Sequence, residues 1–239
     1  MKNVFKRIVR VCDRVLRNRS TSKLFPTRLS WELVGLSRSL TMEAILRGFK
    51  DEQEFWETGK KDASKIIRFV DRRSIVLDVG CGIGRVMKYI APFCKEIHGV
   101  DVSALILRRA KLELKESDNC FFHRGDFKVF NAFPANTFDL VYSLYVLQHM
   151  EKEDAYMCLL GISRLLKKNG VVYAQFPDFT SNHYFSLFES YALNNSRYGA
   201  RVRFYTRPEI ERLFEGANIR LLEYTAIDEN IFVAGVKDA

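Results

Sequence analysis

From residue 74 onward, short apolar runs alternate with longer stretches of mixed polarity, the pattern of strands and helices taken in turn. The runs at 74–79, 96–101, 119–123, 138–143 and 170–176 are too short for helices and predict five strands. Between them the pattern predicts helices at about 83–91, 104–116 and 153–167. Ser103 suits the N-cap of the second, because its hydroxyl can accept from a free N–H of the first turn. Pro92 stops the first. A further helix at 207–216 carries Pro208 in its first turn, where no N–H is missed. The last two runs, 219–225 and 230–236, are joined by the short Asp228–Asn230 turn and predict a hairpin. Upstream, residues 30–58 read as helical. They lead into a helix over 55–70 whose Ala63, Ile66, Ile67 and Val70 follow the 3.6-residue period.

Within this frame one segment carries the chemistry. Residues 76–85 read VLDVGCGIGR, and Asp101 ends the next apolar run 21 positions after Gly80. Gly80, Gly82 and Gly84 allow a tight turn and close backbone approach to a ligand, with no Cβ in the way. Asp101 stands at the carboxyl end of its strand, where a carboxylate can take both hydroxyls of a ribose. Together they describe a nucleoside-containing ligand lying across the ends of adjacent parallel strands. The dinucleotide fingerprint is GxGxxG, which seats a pyrophosphate on a helix N-terminus. Here the spacing is GxGxG, and Asp78 precedes the first glycine by two residues. A carboxylate there would repel a pyrophosphate and suits a cationic group.

This segment resembles motif I of the class I S-adenosylmethionine-dependent methyltransferases of the small-molecule type, and the resemblance continues in order. FFHRGDF (121–127) is similar to the third-strand segment, FDLVYSLYVLQHM (138–150) to the fourth strand and its loop, and LLKKNGVVYAQFP (165–177) to the helix-turn-strand usually written L-K-P-G-G. Lys168 and Asn169 depart from that last pattern ahead of Gly170. The match covers roughly 60–236. It implies an α/β fold, a Rossmann-like seven-stranded mostly parallel sheet with a C-terminal antiparallel hairpin and helices on both faces. It also implies S-adenosylmethionine as cofactor, with S-adenosylhomocysteine as product. By position, Asp78 is expected to hold the methionine ammonium, directly or through water, and the Gly80–Cys81–Gly82 and Gly84 backbone to admit the methionine tail. Asp101 would take the ribose hydroxyls, with Val102 under the adenine. Asp126 would accept from the adenine amino group, with Phe127 against the ring. Ser143 would line the site through its backbone, and Trp56 or Gly59 would reach the cofactor from the preceding helix. Trp56 as plain core packing is an equal reading, and so is Cys81 as a small residue tolerated in a turn.

Methyl transfer from a sulfonium expels a neutral thioether, so no acid is needed. A base is needed only for a nucleophile that holds its proton. His149, in the loop after the fourth strand, is the candidate catalytic residue, because imidazole titrates near neutrality. The competing reading makes it a helix cap or a loop-ordering group. His183 is a weaker alternative, while His98 and His123 fall within strands. No NPPY-type tetrapeptide, Pro-Cys dipeptide or paired-acid loop stands where nucleic-acid and protein methyltransferases carry theirs. A small-molecule, sugar or glycoconjugate acceptor methylated at oxygen is therefore expected, with no DNA partner. The alternatives are an N-methyltransferase on an amine, and a non-catalytic cofactor-binding module that docks RNA or membrane.

Charge and cysteine usage add to this picture. Residues 1–50 hold twelve Lys and Arg against Asp13, Glu32 and Glu43, which accounts for the whole net charge of +9. Within them, 2–19 place Val4, Ile8, Cys12 and Val15 on one helical face and most basic residues elsewhere. Four readings are open: a helix packed on the domain, peripheral contact with anionic lipid, an arm for nucleic acid or an acidic partner, and an organelle transit peptide. Five cysteines without CxxC spacing argue against a disulfide scaffold or zinc site and fit a reducing, cytoplasmic setting. The expected organisation is a basic helical arm and lid over 1–60 and a methyltransferase domain over 61–239. An aromatic-rich lid at 178–205 is expected to wall the acceptor pocket.

Overall fold

The computed structural model describes residues 27–46, 48–194 and 201–238. The basic amphipathic segment 2–19 lies outside them. Seven strands form one sheet: β1 (Ile75–Val79), β2 (Glu96–Asp101), β3 (Cys120–Arg124), β4 (Phe138–Ser143), β5 (Leu166–Pro177), β6 (Ile219–Ile227) and β7 (Asn230–Lys237). The order is β3-β2-β1-β4-β5-β7-β6. β1 to β5 pair in parallel, and β7 inserts antiparallel between β5 and β6. The expected Rossmann-like sheet with its terminal hairpin is therefore present. Asp228 and Glu229 both have positive φ (46° and 65°), as a two-residue hairpin turn with the right twist requires.

Helices are α1 (Thr27–Val34), α2 (Arg38–Ile45), α3 (Glu52–Ile66), α4 (Met87–Ile90), α5 (Ala104–Glu113), α6 (Lys152–Leu165), α7 (Asn182–Leu193) and α8 (Arg207–Gly216). Strand residues alternate between two cores. Leu77, Val79 and Val141 face α6 and α8, meeting Leu159, Ile162, Ile210 and Phe214. Val76, Leu140 and Tyr142 face the other way, toward Ile66 of α3, Met87 and Ile90 of α4, and Leu107 of α5. This period-two division is what buries both faces of a parallel sheet.

Two boundaries differ from expectation. The helix predicted over 83–91 shrinks to α4 plus a 3-10 turn at Ala91–Phe93. Gly84 has φ +83°, so helical geometry cannot begin before it, and Pro92 sits in the turn that follows. α6 stops at Leu165 and β5 starts at Leu166, earlier than the predicted 170. The left-handed residue needed within that strand is supplied by Asn169 (φ 62°).

α3 meets the glycine turn without a gap. A Cβ on Gly59 would stand 2.3 Å from the Arg85 carbonyl oxygen. Beside it, Asp62 and Arg85 form an ion pair of 2.8 Å with both side chains buried. Arg85 also donates to Thr58 Oγ1 at 3.1 Å. Gly59, expected near the cofactor, is thus a packing contact. Gly59→Ala should lower the unfolding free energy by about 2 kcal/mol in urea titrations, since backbone cannot yield as a side-chain tip does. An unchanged midpoint would contradict this close approach.

Candidate active site

The strand order reverses at β1. Its neighbours β2 and β4 are reached by crossovers in opposite directions, which leaves a crevice at the carboxyl ends. The glycine turn fills the floor of that crevice. Gly80 N and Cys81 N both donate to Val100 O, at 2.8 and 3.0 Å, so the turn is stitched to β2. Gly80 and Gly82 have φ of 78° and 56°. A Cβ on Gly80 would stand 2.2 Å from Val146, and one on Gly82 would stand 2.8 Å from Ile45.

Above the turn opens a cavity of about 360 Å³. Gly80, Gly82, Asp101, Val102, Asp126 and Phe127 line it, together with Val79 and Val100. Trp31, Ile45, Tyr145, Val146, His149 and Met150 line it as well, as do Glu151, Asp154 and Arg203. Asp101 Oδ2 accepts from Gly82 N at 3.1 Å and Oδ1 from Ser103 N at 2.9 Å. Burial pushes the Asp101 carboxyl up to about 6, against the pull of those N–H groups. Asp126 accepts from Lys128 N at 2.8 Å and caps the 3-10 turn Phe127–Ala132.

Several expected site residues stand elsewhere. Asp78 is buried beneath the turn rather than in the cavity wall. Burial pushes its carboxyl up to about 7, opposed by the Tyr142 hydroxyl and the Arg85 guanidinium. Cys81 is buried, and burial raises its thiol well above the ordinary range, which excludes a reactive thiolate. Gly84 turns away toward Leu114. Ser143 is fully buried, its hydroxyl donating to Val79 O at 3.3 Å between β4 and β1. Trp56 belongs to the hydrophobic cluster under the N-terminal helices, edge-on to Phe55 and covered by the Lys88 ammonium. These residues shape the turn from below or from the side, and they do not line the cavity.

The acceptor side holds what the sequence left unassigned. His149 sits on a 3-10 turn (Leu147–His149), with Nε2 3.2 Å from Gln148 Nε2. Its ring meets Trp31 edge-to-face at 5.5 Å. Tyr145 takes a left-handed conformation (φ 61°), held by its N–H on Gln175 Oε1 at 2.9 Å. Gln175, fully buried, is fixed in turn by donating to Asn230 Oδ1 at 2.5 Å. A non-glycine residue held in that region at a cavity wall is strain kept by its surroundings. Arg203 pairs with Glu151 and donates through its backbone to Gln148 O at 2.8 Å. Within the aromatic segment 178–205, Arg203 is the described residue that reaches the cavity. The aromatics pack on one another, with Phe204 stacked on Phe179 and on Tyr191. Tyr184 anchors α7 to Asn230 at 3.0 Å. None of the described aromatics of the expected lid is among the residues that line the cavity. Trp31 carried no sequence signal for its place, because α1 is positioned by tertiary contacts alone.

The family described as a methyltransferase domain matches residues 77–174, the stretch that holds the glycine turn, Asp101, Asp126 and His149. The chain carries a class I S-adenosylmethionine-dependent methyltransferase domain. A probable methyltransferase of Aspergillus luteorubrus is 28% identical over 123 residues, 47% of this chain and 43% of that protein. The sterol 24-C-methyltransferase of Saccharomyces cerevisiae is 36% identical over 107 residues, 42% of this chain and 27% of that protein. The chain thus spans under half the length of these curated relatives. Magnesium protoporphyrin IX methyltransferase from Synechocystis, solved with S-adenosylhomocysteine bound, superposes with a TM-score of 0.67 at 16% identity, covering 88% of this chain and 98% of that one. That likeness concerns the fold.

S-adenosylmethionine is the methyltransferase family's cofactor, and the residues present fit it. The glycine turn leaves room a Cβ would fill, and two carboxylates and an aromatic ring, Asp101, Asp126 and Phe127, line the same cavity. The raised carboxyls have a consequence for stability. A carboxyl whose folded pKa is raised favours the folded state most when protonated. For Asp78 that contribution is complete below about pH 4 and is lost as pH rises through about 7. Between pH 5 and 8 the loss amounts to about 3 kcal/mol. Asp78→Asn should therefore flatten the fall in stability over that range, read as unfolding free energy at each pH. Parallel curves for variant and parent would contradict the raised pKa.

Proposed function

We propose that this chain transfers a methyl group from S-adenosylmethionine to a hydroxyl oxygen of a small molecule with a largely apolar body. The observation that carries the reading is a single cavity that joins Gly80, Gly82, Asp101, Asp126 and Phe127 to His149, Trp31, Ile45, Val146 and Met150. A sugar or glycan, the other acceptors expected from the sequence, would find polar partners in Tyr145, His149, Glu151, Asp154 and Arg203, while Trp31, Ile45, Leu144, Val146 and Met150 favour an apolar body. A sterol methyltransferase among the relatives supports an apolar acceptor.

When bound, the cofactor supplies a methyl group on a sulfonium that leaves as a neutral thioether. Asp101 is the residue to hold the ribose hydroxyls, with Asp126 and Phe127 at the adenine. Asp78, beneath the turn, acts through its charge rather than by contact and favours a cationic group above it. The apolar wall excludes water, and Tyr145 and Val146 fix the acceptor's approach. His149 receives the acceptor's hydroxyl proton as the new bond forms. The second reading, an amine acceptor, is favoured by Glu151 and Asp154, two carboxylates at the acceptor wall against the single guanidinium of Arg203.

Calorimetric titration with S-adenosylmethionine should give saturable binding that Asp101→Ala weakens by about tenfold or more, the cost of losing charge-assisted hydrogen bonds. Unaltered affinity in that variant would sink the assignment. With an acceptor found by labelled-methyl screening, His149→Gln should lower kcat about 100-fold at neutral pH while leaving cofactor affinity unchanged. A fall confined to KM would make His149 a binding group only.

A further inference from the structure

α1 is eight residues long, too short to hold its shape alone in water. A polar clasp docks it. The Glu32 carboxylate accepts from Ser103 Oγ at 2.9 Å, Ala104 N at 3.0 Å and Leu105 N at 3.2 Å, so a residue of α1 satisfies the open N–H groups of α5. Arg124 adds a contact at 2.8 Å from the exposed side. α5 returns the favour: Arg109 donates to the carbonyls of Gly35 and Leu36, at 2.9 and 2.8 Å, just beyond the end of α1. Arg38, at the start of α2, ties that helix to Glu113 at 2.6 Å and to Glu52. Between the two helices Gly35 allows close approach, since a Cβ there would lie 2.6 Å from that of Leu105.

The position of this clasp gives it meaning. Ser103 N–H holds Asp101 Oδ1, the carboxylate at the cofactor end of the cavity. Glu32 sits on Ser103. Trp31, the residue before it, lines the same cavity and meets His149 edge-to-face. A continuous chain of contacts therefore runs from Asp101 through Ser103, Glu32 and Trp31 to His149.

We propose that Glu32 is a positioning residue, whose carboxylate on the Ser103–Leu105 turn sets Trp31 against His149 and so fixes the acceptor wall to the turn that carries Asp101. Its consequence for turnover rests on the methyl-transfer reading, while the placement of Trp31 does not. Glu32 touches neither end of the ligand space and acts through Trp31.

Trp31 and Trp56 are the two tryptophans of the chain, so Trp56→Phe, a change outside the cavity, leaves Trp31 as the sole reporter. In that background Trp31 emission, its quenching by acrylamide and calorimetric affinity for S-adenosylhomocysteine are measured for the parent, Glu32→Ala, Glu32→Gln and Arg38→Ala. Glu32→Ala should raise the quenching constant about threefold or more and shift the emission to the red, through local opening of α1. Glu32→Gln, which keeps an acceptor oxygen, should restore part of the shielding. Arg38→Ala, which cuts the clasp at its far end, should leave Trp31 as in the parent. Unchanged shielding in Glu32→Ala overturns the proposal. So does equal exposure in Arg38→Ala, because Glu32 would then be one structural tie among several. Absence of S-adenosylhomocysteine binding in the parent would count against the methyl-transfer reading, and the Trp31 comparison would still decide the role of Glu32.

Discussion

The site depends on a backbone turn that has to leave β1, cross to β2 and present its N–H groups upward within a few residues. Val100 O takes two N–H groups of that turn, from Gly80 and Cys81, and the Asp101 carboxylate takes a third, from Gly82. β2 therefore does more than neighbour β1: its penultimate carbonyl and its last side chain fix the shape of the loop between them. Any side chain at Gly80 would collide with Val146, which follows β4, so the third strand of the crevice is locked to the same turn. The position of Asp101, the floor of the cavity and the start of the acceptor loop thus follow from one set of close contacts.

Charge is concentrated under this turn rather than in the open. Asp78 lies buried below it, and the buried Arg85–Asp62 pair lies at its side. Breaking such a pair costs far more than making it contributes, since one charge would be left uncompensated in a poorly solvated place. The pair joins α3 to the residue after Gly84 and so orients the turn from the helix that precedes β1. Asp78, raised by burial, sits where a positive ligand group above the turn would favour its ionised form. The cavity thus has an electrostatic floor that none of its wall residues supplies.

The acceptor side is assembled differently. Tyr145 is held by Gln175 of β5 and, through it, by Asn230 of β7, so the antiparallel hairpin end reaches the cavity by two hydrogen bonds. Trp31 arrives from the opposite direction on a helix clasped to α5. Arg203 enters from the segment before α8 and pairs with Glu151 ahead of α6. Three stretches of chain, bearing Trp31, Tyr145 and Arg203, meet in the wall around His149, and substitution in any of them can reshape that wall.

The sequence alone determined the sheet and the cofactor end. Strand period, the glycine spacing, Asp101 and Asp126 are local signals, each set within a strand and its adjoining turn, while the strand order is seen only in the assembled sheet. The same local reasoning placed Asp78, Gly84, Ser143 and Trp56 near the cofactor, and only the tertiary structure sets them outside the cavity lining. Which face of β1 Asp78 shows, or which side of α3 carries Trp56, depends on what packs against them. The length of α4 was also beyond local reading, because the left-handed Gly84 keeps in the turn the first residues that periodicity had given to the helix. The acceptor wall was least legible. Trp31, Tyr145 and Arg203 are far apart in sequence and meet only through contacts between elements, and such contacts leave no period or spacing in the chain.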